Sequence, residues 1–249
     1  MLDNHAKVQK ILASAGIASR RTIEEWITQK RIIINGKYAH IGQRVDPLID
    51  KIYVDNKLIK ICAPESVSST KILLYNKPVG IVCSRSDENN RENVFSFLPP
   101  VKNGRWICVG RLDINSSGLL LLTNNGELAY RLMHPKYNIS RGYLVRVLGD
   151  LPDTKLYQLK HGIELEDGIA AFKDIHRMDK KGANQWFYVS LQEGRKREVR
   201  RLFESVDCKV NRLIRVNYGD VQLPKDLRSN RSMLLRRSKV NSILQSVGL

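Results

Sequence analysis

The stretch Gly110–Thr123 places one carboxylate beside a run of apolar residues. It reads GRLDINSSGLLLLT, so Asp113 precedes a segment of small polar residues and then four consecutive leucines. The leucine run, bounded by Gly118 and Thr123, predicts a buried strand that is too short to span a membrane. Asp113 would then lie on a loop held by a rigid scaffold, where catalytic groups are often found. An aspartate taken alone, however, more often caps a turn.

Other catalytic patterns are missing from the sequence. It contains no G-x-x-x-x-G-K-[ST], no H-E-x-x-H and no G-x-S-x-G. The five histidines form no close ligand-spaced pair, and the four cysteines form no C-x-x-C. Metal chemistry, serine-nucleophile chemistry and a disulfide framework are therefore poorly supported, and the thiols are expected to be reduced and structural.

The charge of the chain indicates its partner. In 249 residues there are 42 Lys and Arg against 25 Asp and Glu, a net charge of +17. Such a charge favours a polyanion, because each neutralised phosphate releases counterions. Nucleic acid is the leading partner, and an anionic membrane is the weaker one because no basic amphipathic helix is evident. With no membrane-spanning run and no apolar leader at the start, a cytoplasmic location is expected.

The first sixty residues predict a compact helical unit. Apolar residues at helical spacing in 8–15 predict a first helix that Gly16 ends. Ser19 is placed to cap a second helix. Arg20 and Arg21 open this second helix, at the end where the helix dipole disfavours cations. An arrangement with that cost indicates that the arginine pair faces an anion.

A hairpin follows the two helices, marked by Asn35-Gly36 after a β-like run. The order helix, helix, hairpin resembles the S4 RNA-binding module, and KVQKILASAGIASRRTIEEWITQKRIIINGK carries the resemblance. The resemblance implies an S4 domain over residues 1–62 in which Arg20 and Arg21 contact RNA. In the alternative interpretation, these charges are ordinary solvated groups. A polar, proline-bearing linker is predicted at 63–70.

The rest of the chain predicts an α+β domain over 71–237, followed by a C-terminal tail at 238–249. Alternating patterns predict strands at 143–148 and 186–191, whereas 127–133 and 196–206 predict helices. Because no βαβ rhythm is present, a mixed, largely antiparallel sheet flanked by helices is favoured over a doubly wound one.

Six segments carry a second resemblance. They are GRLD with GLLLLTNNGELAYRLMHP, GIELEDGIAAFK, NQW, EGRKREVRRLFE and RLIRVNYGD. In this order they resemble the bacterial ribosomal RNA pseudouridine synthases of the small-subunit synthase A branch. With the S4 module, they cover most of the chain. The resemblance implies that a uridine loses its N1–C1′ bond, that its base rotates, and that the base rejoins C1′ through C5.

The resemblance also implies roles for four side chains. Asp113 matches the essential aspartate, which adds to C1′ as a nucleophile or removes the 2′ proton in a route through a glycal. Arg200 matches the cation that keeps this carboxylate ionised. Tyr143 matches the tyrosine that stacks on the flipped uracil and helps to remove the C5 proton. Leu213 would pack around the base, and core packing is an equal alternative for it.

Arginines near these residues are candidates for contacts with RNA phosphates. Arg111 adjoins the aspartate, and a basic segment holds the others, which are Arg195, Arg197 and Arg201. The alternative for this segment is a solvated helix face, and Arg201 is also the neighbour with which Arg200 could be confused. Gly142 replaces a residue that is usually larger in the family, a change expected to loosen the positioning of Tyr143.

The sequence therefore predicts a pseudouridine synthase that modifies large-subunit (23S) ribosomal RNA, alone or within a ribosome assembly intermediate. A monomer without membrane partners is expected. Neither a metal nor another cofactor is implied, because the isomerisation is redox-neutral. The alternatives are a synthase for a small-subunit or neighbouring large-subunit uridine, and a non-catalytic rRNA-binding assembly factor.

Overall fold

The computed structural model describes residues 5–61, 70–85, 89–101, 104–181 and 184–249, without the side chains of 179–181. The predicted linker at 63–70 lies outside these ranges apart from Thr70. The chain forms two compact units, and two short segments that the predicted boundaries place in the second domain belong to the first unit. The first unit is Met1–Lys71 with Pro99–Ile107 and Thr123–Gly126, and the second is Ile72–Leu98, Cys108–Leu122 and Glu127–Leu249.

The first unit packs two helices on short strands. Its elements are β1 (Ala6–Lys7), α1 (Val8–Ser14), α2 (Arg20–Thr28), β2 (Ile32–Ile34), β3 (Lys37–Tyr38), β4 (Arg44–Val45), β5 (Ile52–Val54) and β6 (Lys57–Leu58). Strands β3, β2, β5 and β6 form one sheet in that order, and β1 pairs with β4. The predicted cap is confirmed, because Ser19 Oγ accepts a hydrogen bond from the Thr22 amide at 3.1 Å. The predicted hairpin between β2 and β3 is confirmed as well.

The second unit is built on a mixed sheet. Its strands are β7 (Ile72–Lys77), β8 (Ile107–Val109), β9 (Ser117–Thr123), β10 (Arg141–Leu148), β11 (Ile163–Leu165), β12 (Gly168–Ala170), β13 (Asp174–Lys181), β14 (Asn184–Leu191), β15 (Lys209–Tyr218), β16 (Val221–Gln222) and β17 (Ser232–Leu234). Its helices are α3 (Gly126–Met133), α4 (Asp153–His161), α5 (Glu198–Glu204) and α6 (Arg237–Ser246).

The main sheet runs in the order β13-β14-β10-β15-β9-β7-β17, with β16 beside β15 and β8 beside β9. Strand β10 is antiparallel to both β14 and β15, whereas β15 and β9 are parallel. The α+β prediction is therefore confirmed.

The leucine run forms the centre of this sheet. Leu119, Leu120, Leu121 and Leu122 are each at most 1% exposed, which confirms the predicted buried strand. Burial on both faces explains why the run is continuously apolar rather than alternating. At its start, Gly118 has φ +99°, and a Cβ there would lie 2.3 Å from a backbone oxygen of β15. The glycine thus lets the two strands approach closely at the point where the Asp113 loop ends.

The two faces of β10 have different environments. Tyr143, Val145 and Val147 are buried on one face, while Leu144 and Arg146 on the other are only half-buried. Helix α5 packs on the first face, where Phe203 lies 5.9 Å from the ring of Phe187 on the neighbouring strand. This face holds the hydrophobic core of the sheet.

The C-terminal residues form a packed helix instead of the expected tail. Helix α6 buries Val240, Ile243 and Leu244. Arg131 of α3 donates hydrogen bonds to the carbonyl oxygens of Val247 and Gly248, just beyond the end of α6. In the part of the chain that the structure describes, no helix is long and apolar enough to cross a bilayer.

Candidate active site

A cavity of about 610 Å³ opens on the buried face of the sheet in the second unit. Its walls come from the loop between β8 and β9, from the start of β10, from β15 and from the segment around the start of α5. The predicted site residues that line it are Arg111, Asp113, Tyr143, Arg195, Arg197 and Leu213.

Asp113 lies on the loop that enters β9, and its side chain is exposed. The backbone of the loop is held by a buried ammonium group. Lys77, which is 0% exposed, donates to the carbonyl oxygens of Pro78 at 2.9 Å, Asp113 at 3.1 Å and Ser116 at 2.9 Å. Burial lowers the pKa of Lys77, and the nearby charge of Asp113 partly opposes this shift. The loop is therefore fixed by a cation at the end of β7, and the carboxylate remains accessible.

Arg200 does not form the ion pair with Asp113 that was expected. It is 6% exposed on α5, and its guanidinium donates to the carbonyl oxygens of Val210 at 2.9 Å and Asn115 at 3.0 Å. Burial lowers the pKa of Arg200 most, followed by the charge of Arg197, whereas Asp113 raises it. Within the described residues, Arg200 thus acts on the backbone of the Asp113 loop and on the carboxylate only through its electric field.

Tyr143 and Leu213 lie on the same face of adjacent strands. In the register of β10 and β15, Tyr143 is opposite Arg215 and Val145 is opposite Leu213. Tyr143 and Leu213 are 8% and 6% exposed and both line the cavity. They provide an aromatic and an aliphatic wall beside the aspartate, which is a suitable enclosure for a planar base.

Two further buried arginines, neither of them predicted from the sequence, line the cavity. Arg215 donates from Nε to the Leu119 carbonyl at 2.7 Å, and its Nη2 is buried without a hydrogen-bond partner among the described residues. Arg141 donates to the Tyr218 hydroxyl at 3.0 Å and lies 5.0 Å from the centroid of that ring. Since their partners are backbone or neutral groups, the charges of both arginines remain available to an anion.

The remaining predicted arginines fall into different surroundings. Arg201 is absent from the cavity wall and forms a two-pronged ion pair with Asp167, with both distances 2.8 Å, so its predicted contact with substrate is not supported. Arg195 and Arg197 line the cavity but are also paired with Glu193 and Glu204.

Three more of the predicted cations are exposed. Arg111 lines the cavity, whereas Arg20 and Arg21 lie in the first unit at the start of α2. The structure therefore brings six of the ten predicted residues into one cavity wall, and Arg200 binds the backbone of the Asp113 loop without lining the cavity.

Two weaker acids also lie near the cavity. Burial raises the pKa of Glu198, although the Arg195 amide donates a hydrogen bond to this carboxylate at 3.0 Å. Burial also raises the pKa of the Cys108 thiol to about 12, so this cysteine stays protonated at neutral pH and is a poor nucleophile. Asp113 is thus the exposed carboxylate that faces the cavity from the β8–β9 loop.

Gly142 affects the opposite face of the sheet from Tyr143. A Cβ at this position would lie 1.8 Å from Asn217 Oδ1 and 2.5 Å from the Tyr188 hydroxyl oxygen. The Tyr188 hydroxyl donates to Asn217 Oδ1 at 3.2 Å across the space that the glycine leaves. The expectation that Gly142 loosens Tyr143 is therefore not supported by its surroundings.

Metal ligands are not gathered at this site. Among the residues in the described ranges, no three His, Cys, Asp or Glu side chains come together in a group that could hold a metal ion.

Known proteins resemble the chain over nearly its whole length. The family model for RNA pseudouridylate synthase matches residues 71–205, and the S4 domain model matches residues 7–47. The chain is 50% identical over 222 residues to ribosomal large subunit pseudouridine synthase B of Escherichia coli K12, which covers 89% of this chain and 76% of that protein. It is 46% identical over 243 residues to the protein of the same name from Vibrio vulnificus, covering 98% of this chain and 76% of the relative.

A solved structure has the same fold. The crystal structure of a pseudouridylate synthase superimposes with a TM-score of 0.65 and 26% identity, and the match covers 95% of this chain and 99% of that one. The cavity with its exposed aspartate and cationic wall thus occurs in a chain related to these enzymes along its length. The protein therefore belongs to the RNA pseudouridylate synthase family, as an RNA pseudouridine synthase that carries an S4 domain.

Proposed function

We propose that this enzyme converts one uridine of large-subunit ribosomal RNA to pseudouridine. The observation that carries the proposal is the 50% identity, over 89% of the chain, to relatives named for this substrate. We propose further that it acts as a monomer in the cytoplasm, either on free rRNA or on an assembly intermediate. The net charge of +17 supports a large polyanionic substrate.

In the proposed mechanism, Asp113 carries the first step. Its carboxylate either attacks C1′, so that the N1–C1′ bond breaks and uracil leaves as an anion, or removes the 2′ proton as the same bond breaks. The freed base rotates, and its C5 bonds to C1′ as the bond between C1′ and the Asp113 carboxylate breaks or, on the glycal route, as the 2′ proton returns to C2′ from Asp113. The C5 proton is then lost to restore the ring, and N1 ends protonated. The product is an isomer of the substrate, so the balance requires neither an oxidant nor a metal.

Tyr143 and Leu213 are proposed to hold the uracil between them while it rotates. Their positions on one face of adjacent strands support this role, because a flat base fits between an aromatic and an aliphatic side chain. The Tyr143 hydroxyl is the proposed group for assisting loss of the C5 proton. A target within paired RNA must first leave the stack, at a cost of a few kcal/mol.

Contacts between cationic side chains and RNA phosphates are proposed to offset the free-energy cost of unstacking the target base and to orient the substrate. Arg111, Arg195 and Arg197 line the cavity and supply phosphate contacts. Arg200 is proposed as a positioning residue, because it binds the backbone of the Asp113 loop. Arg20 and Arg21 are proposed to contact a part of the RNA that does not react.

Replacing Asp113 by asparagine tests the catalytic assignment. Asp113→Asn should abolish pseudouridine formation and leave RNA affinity within about threefold of wild type, since most of the affinity is electrostatic. Pseudouridine mapping in rRNA from cells that lack the protein, complemented with each variant, identifies the uridine. Modification by the variant at the wild-type rate would contradict the assignment of Asp113.

The same mapping separates the proposal from its alternatives. A missing pseudouridine in large-subunit rRNA supports the proposed substrate, whereas one in small-subunit rRNA reassigns it within the family. An unchanged set of pseudouridines, together with normal binding to assembly intermediates, would support a non-catalytic assembly factor.

A further inference from the structure

The face of the main sheet that points away from the cavity carries an arginine pair. On β10, Arg146 alternates with the buried Val145 and Val147, so its side chain lies on the face opposite to Tyr143. It is directly opposite Arg212 on β15 and Trp186 on β14. We call the row formed by Arg146, Trp186 and Arg212 the back-face row. The NQW segment of the sequence thus contributes its tryptophan to this row.

The two arginines in the back-face row are in an unfavourable arrangement. Like charges directly opposite each other on neighbouring strands are destabilising, because their side chains are adjacent. Neither arginine forms an ion pair with a described carboxylate. The Nε atom of Arg146 is also buried without a hydrogen-bond partner among the described residues. A bound anion would relieve the repulsion between the two guanidinium groups.

The surroundings of the row add charge and aromatic surface. Lys209 is exposed and lies opposite Leu148, the residue of β10 that follows Arg146 on this face. His176 and Tyr188 lie in the next row, with nearly parallel rings at 19° and centroids 6.3 Å apart. Asp174, on the same face, accepts a hydrogen bond from Ser190 at 2.7 Å. The face is therefore cationic and aromatic.

We propose that the back-face row is a second RNA-binding surface, in which Arg146 and Arg212 hold a phosphate and Trp186 contacts an unpaired base. Arginines and aromatic rings on an open sheet are suited to the backbone and bases of RNA. Lysine is depleted at protein–protein interfaces, so the exposed Lys209 beside the row favours a nucleic-acid occupant. The inference rests on the proposed function only in that the substrate is RNA. It assigns to the enzyme a contact with substrate segments remote from the modified uridine.

The test compares two arginines of the same sheet. Arg212→Gln removes a member of the row, and Arg177→Gln is the matched control because Arg177 is an exposed arginine of β13 paired with Asp153. Both variants change the net charge by one. The probe is an unmodified transcript of whichever ribosomal RNA, large- or small-subunit, the wild-type enzyme modifies. If the proposed substrate is wrong, only the choice of transcript changes, and the test of the back-face row still applies.

We expect Arg212→Gln to weaken binding about tenfold in near-physiological salt and to reduce the slope of log affinity against log salt by about 0.9. The turnover number at saturating RNA should stay at the wild-type value, and Arg177→Gln should bind as wild type does. The double variant Arg146→Gln with Arg212→Gln should melt at or above the wild-type temperature, since the repulsion is removed, and should bind still more weakly. Wild-type affinity and salt slope for a folded Arg212→Gln would overturn the proposal, as would an equal loss in the Arg177→Gln control.

Discussion

At the scale of single residues, the site uses backbone carbonyl groups to hold its buried cations. Lys77 binds three carbonyl oxygens, and Arg200 binds two, one of them on the Asp113 loop. Because no described carboxylate forms an ion pair with these cations, their positive charge acts on the region of the Asp113 carboxylate. The exposed Asp113 carboxylate therefore lies near two buried cations, and it forms no ion pair with either of them.

This arrangement makes a specific prediction for Arg200. Arg200→Lys keeps the charge but cannot reach both Val210 and Asn115 in the forked geometry of a guanidinium group. If Arg200 positions the loop, kcat should fall about a hundredfold, a loss typical of misplaced catalytic groups, while KM changes little. Steady-state kinetics on an rRNA fragment would measure this. A Lys variant with full kcat would show that charge alone suffices, and a rise confined to KM would reassign Arg200 to substrate binding.

At the scale of secondary-structure elements, the strands and helices that have a clear hydrophobic pattern in the sequence were predicted. The leucine strand, the alternating strands β10 and β14, and the helix capped by Ser19 were all predicted correctly, because their burial patterns and cap are local in the chain. Lys77, Arg141 and Arg215 were missed because their partners are carbonyl or neutral groups on segments distant in sequence, which leave no side-chain signature. Arg200 was found through its motif, but its partners could not be predicted for the same reason.

Gly142 and Tyr143 are neighbours on β10 but contact opposite faces of the sheet. Gly142→Ala should destabilise the protein by about 1–2 kcal/mol, because the new methyl group displaces the hydrogen bond between Tyr188 and Asn217. In an Asn217→Ala background the same change should cost less, since only the Tyr188 hydroxyl, 2.5 Å from the new Cβ, is left to move aside. Thermal unfolding of the four proteins measures the coupling. Turnover should be unchanged, because Tyr143 faces the other way, and a large loss of kcat would revive the view that Gly142 positions Tyr143.

At the scale of the whole molecule, positive charge occurs in both compact units. The second unit contains the cavity and the back-face row, and the first contains exposed arginines at the start of α2. Base chemistry needs only one flipped nucleotide, whereas selection of one site in a long RNA needs contacts with many phosphates and unpaired bases. The catalytic step and the affinity for RNA should therefore be separable by mutation.

Arg20 and Arg21 provide that separation in the first unit. Arg20→Gln with Arg21→Gln should raise KM for rRNA about tenfold and leave kcat unchanged, because two phosphate contacts are lost far along the chain from Asp113. Helix α2 should be no less stable, since cations at its first turn oppose the helix dipole. The matched control, Lys51→Gln with Lys57→Gln, removes the same charge from exposed positions of the same unit and should change KM less than threefold. Equal effects of the two pairs would mean that the first unit contributes only its net charge, and a loss of kcat in the arginine pair would mean that this unit also helps to place the reacting uridine.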